Sequence, residues 1–252
     1  MHRAVIALLA DQRLGGRPRI PPPSGCAGAP AFNTLTLKQS STLTLRPAPA
    51  VESLFNSCRM PQMGIDEEAY EDAAKQLKVD VAAIKAVANV ETKGSAFDKE
   101  GRPTILYERH YFHRLTQGKF SKKNPDISNS ASGGYGKFSA QYGKLEKAYK
   151  LAPDAALMSA SWGRFQIMGA NHVSAGYTTA QQFVTAHMVS ESNHLKAFVS
   201  LLSNEPRMLK ALQAKDWAKF ARGYNGPKYK DNDYDTKMRE AYEALQAKPA
   251  RK

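Results

Sequence analysis

From Met63 onward, apolar positions recur at steps of three and four, the spacing that gathers side chains on one face of a helix. The segment IDEEAYEDAAKQLKV opens with acids in its first turn, where they meet the positive end of the helix dipole. Asp80 is placed to cap the next helix, its side-chain oxygen accepting from a free first-turn amide. Val81, Ile84, Val87 or Ala88, and Glu91 then share one face, and Gly94 offers the left-handed residue that ends a helix. RPTILYE is a short β-prone run after the Gly101-Arg102-Pro103 turn, and RHYFHRLTQG resumes helical spacing. Residues 117 to 136 form a polar, glycine-containing loop whose length suggests function or mobility. KLEKAYKL and DAALMSASWGRFQIMG return to helix. Thr178 and Gln181 make a capping box for one long helix, AQQFVTAHMVSESNHLKAFVSLLS. On its apolar face lie Val184, Met188, Glu191, Leu195, Phe198 and Leu202. Asn204 starts a helix holding Leu209 and Leu212. DWAKFARGY then sets Trp217, Phe220, Ala221 and Tyr224 on one face, YNGPKY breaks it, and YDTKMREAYEAL closes the pattern. The pattern predicts a mainly α domain with a minor short β element.

Residues 1 to 60 read differently. They are rich in Pro, Gly, Ser and Thr and show no sustained helical period, which predicts a disordered N-terminal extension ahead of a folded domain over residues 61 to 252. Met60 and Met63 each stand where the folded chain would sensibly begin, so the extension is also open to being an over-called start. Both cysteines, Cys26 and Cys58, fall in this stretch, so the domain needs neither a disulfide nor a thiolate-bound metal. AVIALLA, residues 4 to 10, is too short to span a membrane and lacks a prompt cleavage site.

The chain has 252 residues and a net charge of +13, of which the first sixty, with seven basic and two acidic residues, hold +5. A surface this basic attracts polyanions: nucleic acid, anionic lipid or an acidic cell wall. Much of the charge lies in helices such as KLEKAYK beside acids, and no nucleic-acid motif with interleaved aromatic residues accompanies it, so nucleic-acid binding is not the expected function.

Two carboxylates sit inside apolar stripes. Glu191 reads as a structural ion-pair or capping partner. Glu91 reads as chemistry: poor solvation of its charged form raises its pKa, and a carboxyl that keeps its proton can donate it to a leaving glycosidic oxygen. The alternative is a helix-end glutamate paired in water with Lys85 or Lys93. Glu108, His110 and His113 lack the His-Glu-x-x-His spacing of a metal site, and SGGYGK lacks the full phosphate-cradle pattern. No metal or cofactor is expected.

Three separated segments, VET at residues 90 to 92, SWGRFQIM at 161 to 168 and ARGYNG at 221 to 226, occur in the order found in lysozyme-like glycosidases and lytic transglycosylases. ILYERHYFHRL, SASWGRFQIMG and FARGYNGPKY resemble the phage-type N-acetylmuramidase domains of endolysins, over roughly residues 63 to 245. The resemblance implies a lysozyme-like helical fold, a peptidoglycan substrate, and cleavage between N-acetylmuramic acid and N-acetylglucosamine. It also implies synthesis in a host bacterial cytoplasm and action on periplasmic peptidoglycan after release; a monomer attracted to the anionic envelope is expected. Carried over residue by residue, Glu91 matches the proton donor, while Gln166, Tyr224 and Asn225 match residues that line or close the cleft against the sugar. For a second carboxylate, Glu108 is preferred because it ends a rigid strand; Glu100 in the charged turn is the alternative and Asp98 comes third. A lytic transglycosylase needs only one glutamate and leaves anhydro ends. A non-catalytic wall-binding module would leave Glu91 without a role.

Overall fold

A computed structural model describes residues 60–92 and 94–247. The extension expected over the first sixty residues, with Cys26 and Cys58, lies outside the described residues except for Met60. Helix α1 (Glu67–Leu77) starts at Asp66, whose Oδ1 accepts from the Ala69 amide at 2.8 Å, and ends at Lys78 in the left-handed conformation. Helix α2 (Val81–Glu91) ends at the extended Thr92, so Gly94, although it has positive φ, lies beyond the true stop. Asp80 does not cap α2: its carboxylate instead pairs with Lys215 at 2.9 Å and accepts from the Tyr242 hydroxyl at 2.7 Å. A tertiary link between α2 and the last helix has replaced the local bond.

Strand β1 (Ile105–Tyr107) leads into α3 (Arg109–Leu115). After the long loop, a 3-10 turn (Phe138–Ala140) opens α4 (Gln141–Tyr149), and α5 (Pro153–Met158) follows. Helical spacing predicted helix through residue 169, but α5 stops at Met158. The next residues form strands β2 (Ala160–Trp162) and β3 (Ile167–Met168) around a turn. The sheet runs β1-β2-β3, antiparallel, with Ile105 opposite Trp162 and Tyr107 opposite Ala160. Gly163 explains the difference: its φ of +68° and that of Gln166, +48°, turn the chain back, and β1 supplies a partner that a helix would leave unpaired.

The single long helix expected over residues 180 to 203 is two: α6 (Ala180–Val189) and α7 (Glu191–Ser203). Ser190 between them is extended, and the entering chain pairs there: Gln62 N donates to Val189 O at 2.9 Å and Glu191 N to Gln62 O at 3.1 Å. Ser190 then caps α7 through the Asn193 amide, and Thr179, one residue on from the expected Thr178, caps α6. Helix α8 (Pro206–Gln213) starts after Glu205 rather than at Asn204; α9 (Trp217–Asn225) is capped by Asp216 and ends at Gly226. Helix α10 (Tyr234–Gln246) packs along α2, and α1 packs on α7. Apolar faces of these helices and the small sheet, whose strands β2 and β3 are buried at every residue, form a continuous core. Among the described residues no helix is long and apolar enough to cross a membrane. The mainly α architecture with a minor β element is the one the hydrophobic pattern predicts.

Candidate active site

Glu91 is the last residue of α2 and is 3% exposed. The stripe that precedes it, Ile84, Val87 and Ala88, is buried as its spacing predicts. Lys85, one expected surface partner, is instead paired with Glu67 on α1. Asn225, the last residue of α9, meets Glu91 from the opposite side: its Nδ2 donates to Glu91 Oε1 at 2.6 Å. Two helix ends, 134 residues apart in sequence, thus converge on one carboxyl group. Asn225 Oδ1 is buried with no hydrogen-bond partner among the described residues.

The turn between β2 and β3 forms the wall beside this pair. The Thr92 hydroxyl donates to the carbonyls of Gly163 (3.1 Å) and Arg164 (2.8 Å), fixing the residue after Glu91 to that turn. Gln166 is 2% exposed; its Nε2 donates to Thr104 O (3.0 Å) and Gly163 O (2.8 Å), and its Oε1 accepts from the Ser161 hydroxyl (2.9 Å). Its amide, expected beside the sugar, is therefore fully engaged within the hairpin. Tyr224 is buried against Phe220 and Phe198, and its hydroxyl donates to Phe165 O at 2.7 Å. Burial and the neighbouring Glu91 carboxylate push its phenol well above the ordinary range, so it remains a neutral donor. Glu91, Asn225, Tyr224 and Gln166 are thus gathered around one turn.

Arg164 locks that turn from behind. Its guanidinium bonds Glu191 Oε2 at 2.8 and 2.9 Å and Gly94 O at 2.9 Å, and Gly64 N donates to the other Glu191 oxygen. Glu191 is the structural ion-pair partner its place in an apolar stripe predicts. The Arg164 amide donates to His194 Nδ1 at 3.1 Å, which leaves Nε2 of His194 to donate to His187 O at 2.8 Å. Both imidazoles are fully buried and stacked 4.6 Å apart; burial lowers the pKa of His194 to about 4 and holds that of His187 well below the ordinary imidazole range.

The three candidates for a second carboxylate differ sharply. Asp98 is tied into its own turn, accepting from the amides of Glu100 and Arg102 and pairing with the Arg102 side chain at 2.9 Å. Glu100 is half-exposed and lies 3.3 Å from Arg102. Glu108 is 2% exposed, accepts from the Tyr135 hydroxyl at 3.1 Å and has His110 Nδ1 at 3.1 Å, off the line of a hydrogen bond. Burial raises its pKa, opposed by His110. Along the strand pair, Thr104 O accepts from Gly163 N beside the Thr92 contact, whereas Glu108 N donates to Ser159 O. Those rungs are four residues apart, about 13 Å at the rise of a strand.

The sequence profile of the N-acetylmuramidase family matches residues 80–246. The chain belongs to the N-acetylmuramidase family. The crystal structure of Burkholderia AP3 phage endolysin is similar to this muramidase at a TM-score of 0.67 and 40% sequence identity, over 79% of this chain and 76% of that one. No curated protein matches it. The muramidase is accordingly a glycoside hydrolase of the lysozyme type, and peptidoglycan is the polymer such enzymes degrade.

Within the muramidase, sequence reasoning missed Thr92, Arg164 and His194 as parts of the site. Thr92 and Arg164 lie in the segments that carry the family resemblance, but their bonds run over 70 to 72 residues and exist only once the hairpin forms. His194 carries no local signal: within a helix it reads as an ordinary core residue.

Proposed function

We propose that this muramidase cleaves peptidoglycan between N-acetylmuramic acid and N-acetylglucosamine, with Glu91 as the general acid. The observation that carries this reading is the burial of Glu91 at a helix end, with Asn225 Nδ2 on one carboxyl oxygen at 2.6 Å. This well-aligned donor helps to fix the orientation of the carboxyl group and so aims its proton. As the bond from the anomeric carbon to the leaving oxygen breaks, the Glu91 proton passes to that oxygen. Water then adds to the anomeric carbon and gives up a proton. Thr92, Gln166, Tyr224 and Arg164 act as positioning residues by holding the turn that flanks the acid.

For the proton of the attacking water we assign Glu100 rather than Glu108. Glu100 is half-exposed, in the turn that follows Glu91, where water reaches it. Glu108 is withdrawn from water, and burial raises its pKa against the opposing pull of His110 and Tyr135. Its bond to Tyr135 points to a role in holding the loop. The likeness to a phage endolysin supports a role in bacterial cell lysis, with the enzyme released to the periplasm from the cytoplasm in which it is made.

The test is a digest of purified peptidoglycan read by mass spectrometry. Hydrated reducing ends are expected from the wild type. Anhydro ends would replace hydrolysis by transglycosylation. Glu100→Gln is expected to lose about a hundredfold or more in rate. Glu108→Gln should keep most of its activity with a lower Tm. A folded but inactive Glu108→Gln would return the second role to Glu108.

A further inference from the structure

The turn that carries Glu100 faces the start of α4 across a cavity of about 370 Å³. Asp98, Glu100 and Arg102 form one wall, and Phe138, Ser139 and Tyr142 the other. Phe138 is out of place by ordinary packing. It is 59% exposed, while every other phenylalanine among the described residues is buried or partly buried. The rest of the cavity is rigid. The Arg102 guanidinium stacks over the Tyr142 ring at 4.0 Å and is held by Asp98, and the Tyr142 hydroxyl donates to Pro103 O. An exposed ring with the Ser139 hydroxyl beside it, facing a wall whose half-exposed Glu100 carboxylate is paired with Arg102 and Lys99, suits a ligand with an apolar face and a polar rim.

A pyranose has that shape. Its axial C–H bonds form an apolar face that lies on the electron-rich face of an aromatic ring, and its equatorial hydroxyl and amide groups reach outward to groups such as Glu100 and Ser139. The volume is at the small end for ligand sites and holds one substituted sugar. The surroundings add a charge. Residues 109 to 150 contain nine Lys and Arg against two acids, a balance of +7, whereas residues 61 to 252 as a whole carry +8. Nearly all the net positive charge of the domain therefore lies in α3, the loop and α4, and the start of α4 borders this cavity. Lys99 lines it, in a loose, exposed pair with Glu100 at 3.6 Å, and Lys137, exposed, adjoins Phe138.

We propose that this cavity is a glycan subsite in which one amino sugar stacks on Phe138 while Lys99 and Lys137 receive carboxylates of the peptide stem. The ligand's identity rests on the peptidoglycan reading above; the site itself rests on the cavity, the exposed ring and the charge. The probe is soluble, uncross-linked peptidoglycan chains bearing tetrapeptide stems, titrated by NMR into the Glu91→Gln protein, which is expected to bind without turnover. Phe138→Ala in that background should weaken binding about tenfold, with an unchanged thermal midpoint because the ring is exposed. In the active enzyme it should raise KM and leave kcat within about twofold. Replacing both Lys99 and Lys137 by Ala should weaken binding of stem-bearing chains, but not of chains stripped of their stems. Unchanged affinity in Phe138→Ala overturns the subsite. Equal losses for stripped and stem-bearing chains overturn the assignment of the lysines. If the wild type fails to cut peptidoglycan while Phe138-dependent binding persists, the functional reading falls and the subsite stands. If it cuts but ignores Phe138, the reverse holds.

Discussion

Asn225 reaches Glu91 with one half of its amide and leaves the other half buried without a partner among the described residues. A buried carbonyl oxygen in that state carries a desolvation cost, while the other half of the same amide holds the Glu91 carboxyl group. Asn225→Ala removes the donor while relieving that cost, so stability should change little and kcat should fall by roughly ten- to hundredfold. Melting and turnover measured on one preparation separate the two; unchanged turnover would remove Asn225 from the site. At this scale the sequence was informative about Glu91, because a charged residue that completes an apolar stripe is visible from spacing alone. Sequence placed Gln166 and Tyr224 with Glu91, and the structure brings them around the same turn, but the bonds they make there were not legible. Every polar atom of the Gln166 side chain is bonded inside the hairpin, and the Tyr224 hydroxyl is held by Phe165 O. Such bonds depend on where a distant backbone ends up.

The hairpin of β2 and β3 is the element on which the site depends, and it is the one that periodicity misassigned. ASWGRFQIM offers apolar residues at intervals compatible with a helix, and only the presence of β1 as a partner resolves it as a strand pair. Gly163 is the position that cannot be exchanged. Its φ is +68°, and a Cβ there would stand 2.6 Å from the His194 ring, which is itself fixed by bonds to Arg164 N and His187 O. Gly163→Ala should destabilise the domain by about 2 kcal/mol or more, since both strain and overlap act together. Denaturant midpoints check this, and a wild-type midpoint would contradict the packing described. The split of the expected long helix at Ser190 has the same origin: the bridge from Gln62 claims the backbone there, and no local pattern announces it.

Across the whole molecule, the mainly α fold and the order of its helices were readable because the apolar stripes are long and regular. The excess of charge over residues 109 to 150 was readable from the sequence, but that the start of α4 borders a cavity with Lys99 and Arg102 needed the fold. The stacked His187–His194 pair sets a limit in acid. Both are neutral when buried, with His194 at a pKa of about 4 against 6.5 for a free imidazole. The unfolded chain binds these protons first, so stability is full above about pH 6.5 and falls as pH drops toward 4. The loss is on the order of 3 kcal/mol for His194 alone. Melting temperatures between pH 7 and 4 should decline accordingly. In His194→Gln the decline should be shallower; an equal slope would assign it to other groups.

The central claim is that Glu91 delivers the proton that breaks the glycosidic bond. Glu91→Gln keeps the size of the side chain and an oxygen for Asn225, and removes the transferable proton. On purified peptidoglycan, followed by turbidity and by released ends, the variant should be folded, should bind the polymer, and should clear it at least a thousandfold more slowly than the wild type. Clearing at the wild-type rate by the folded variant would contradict the account.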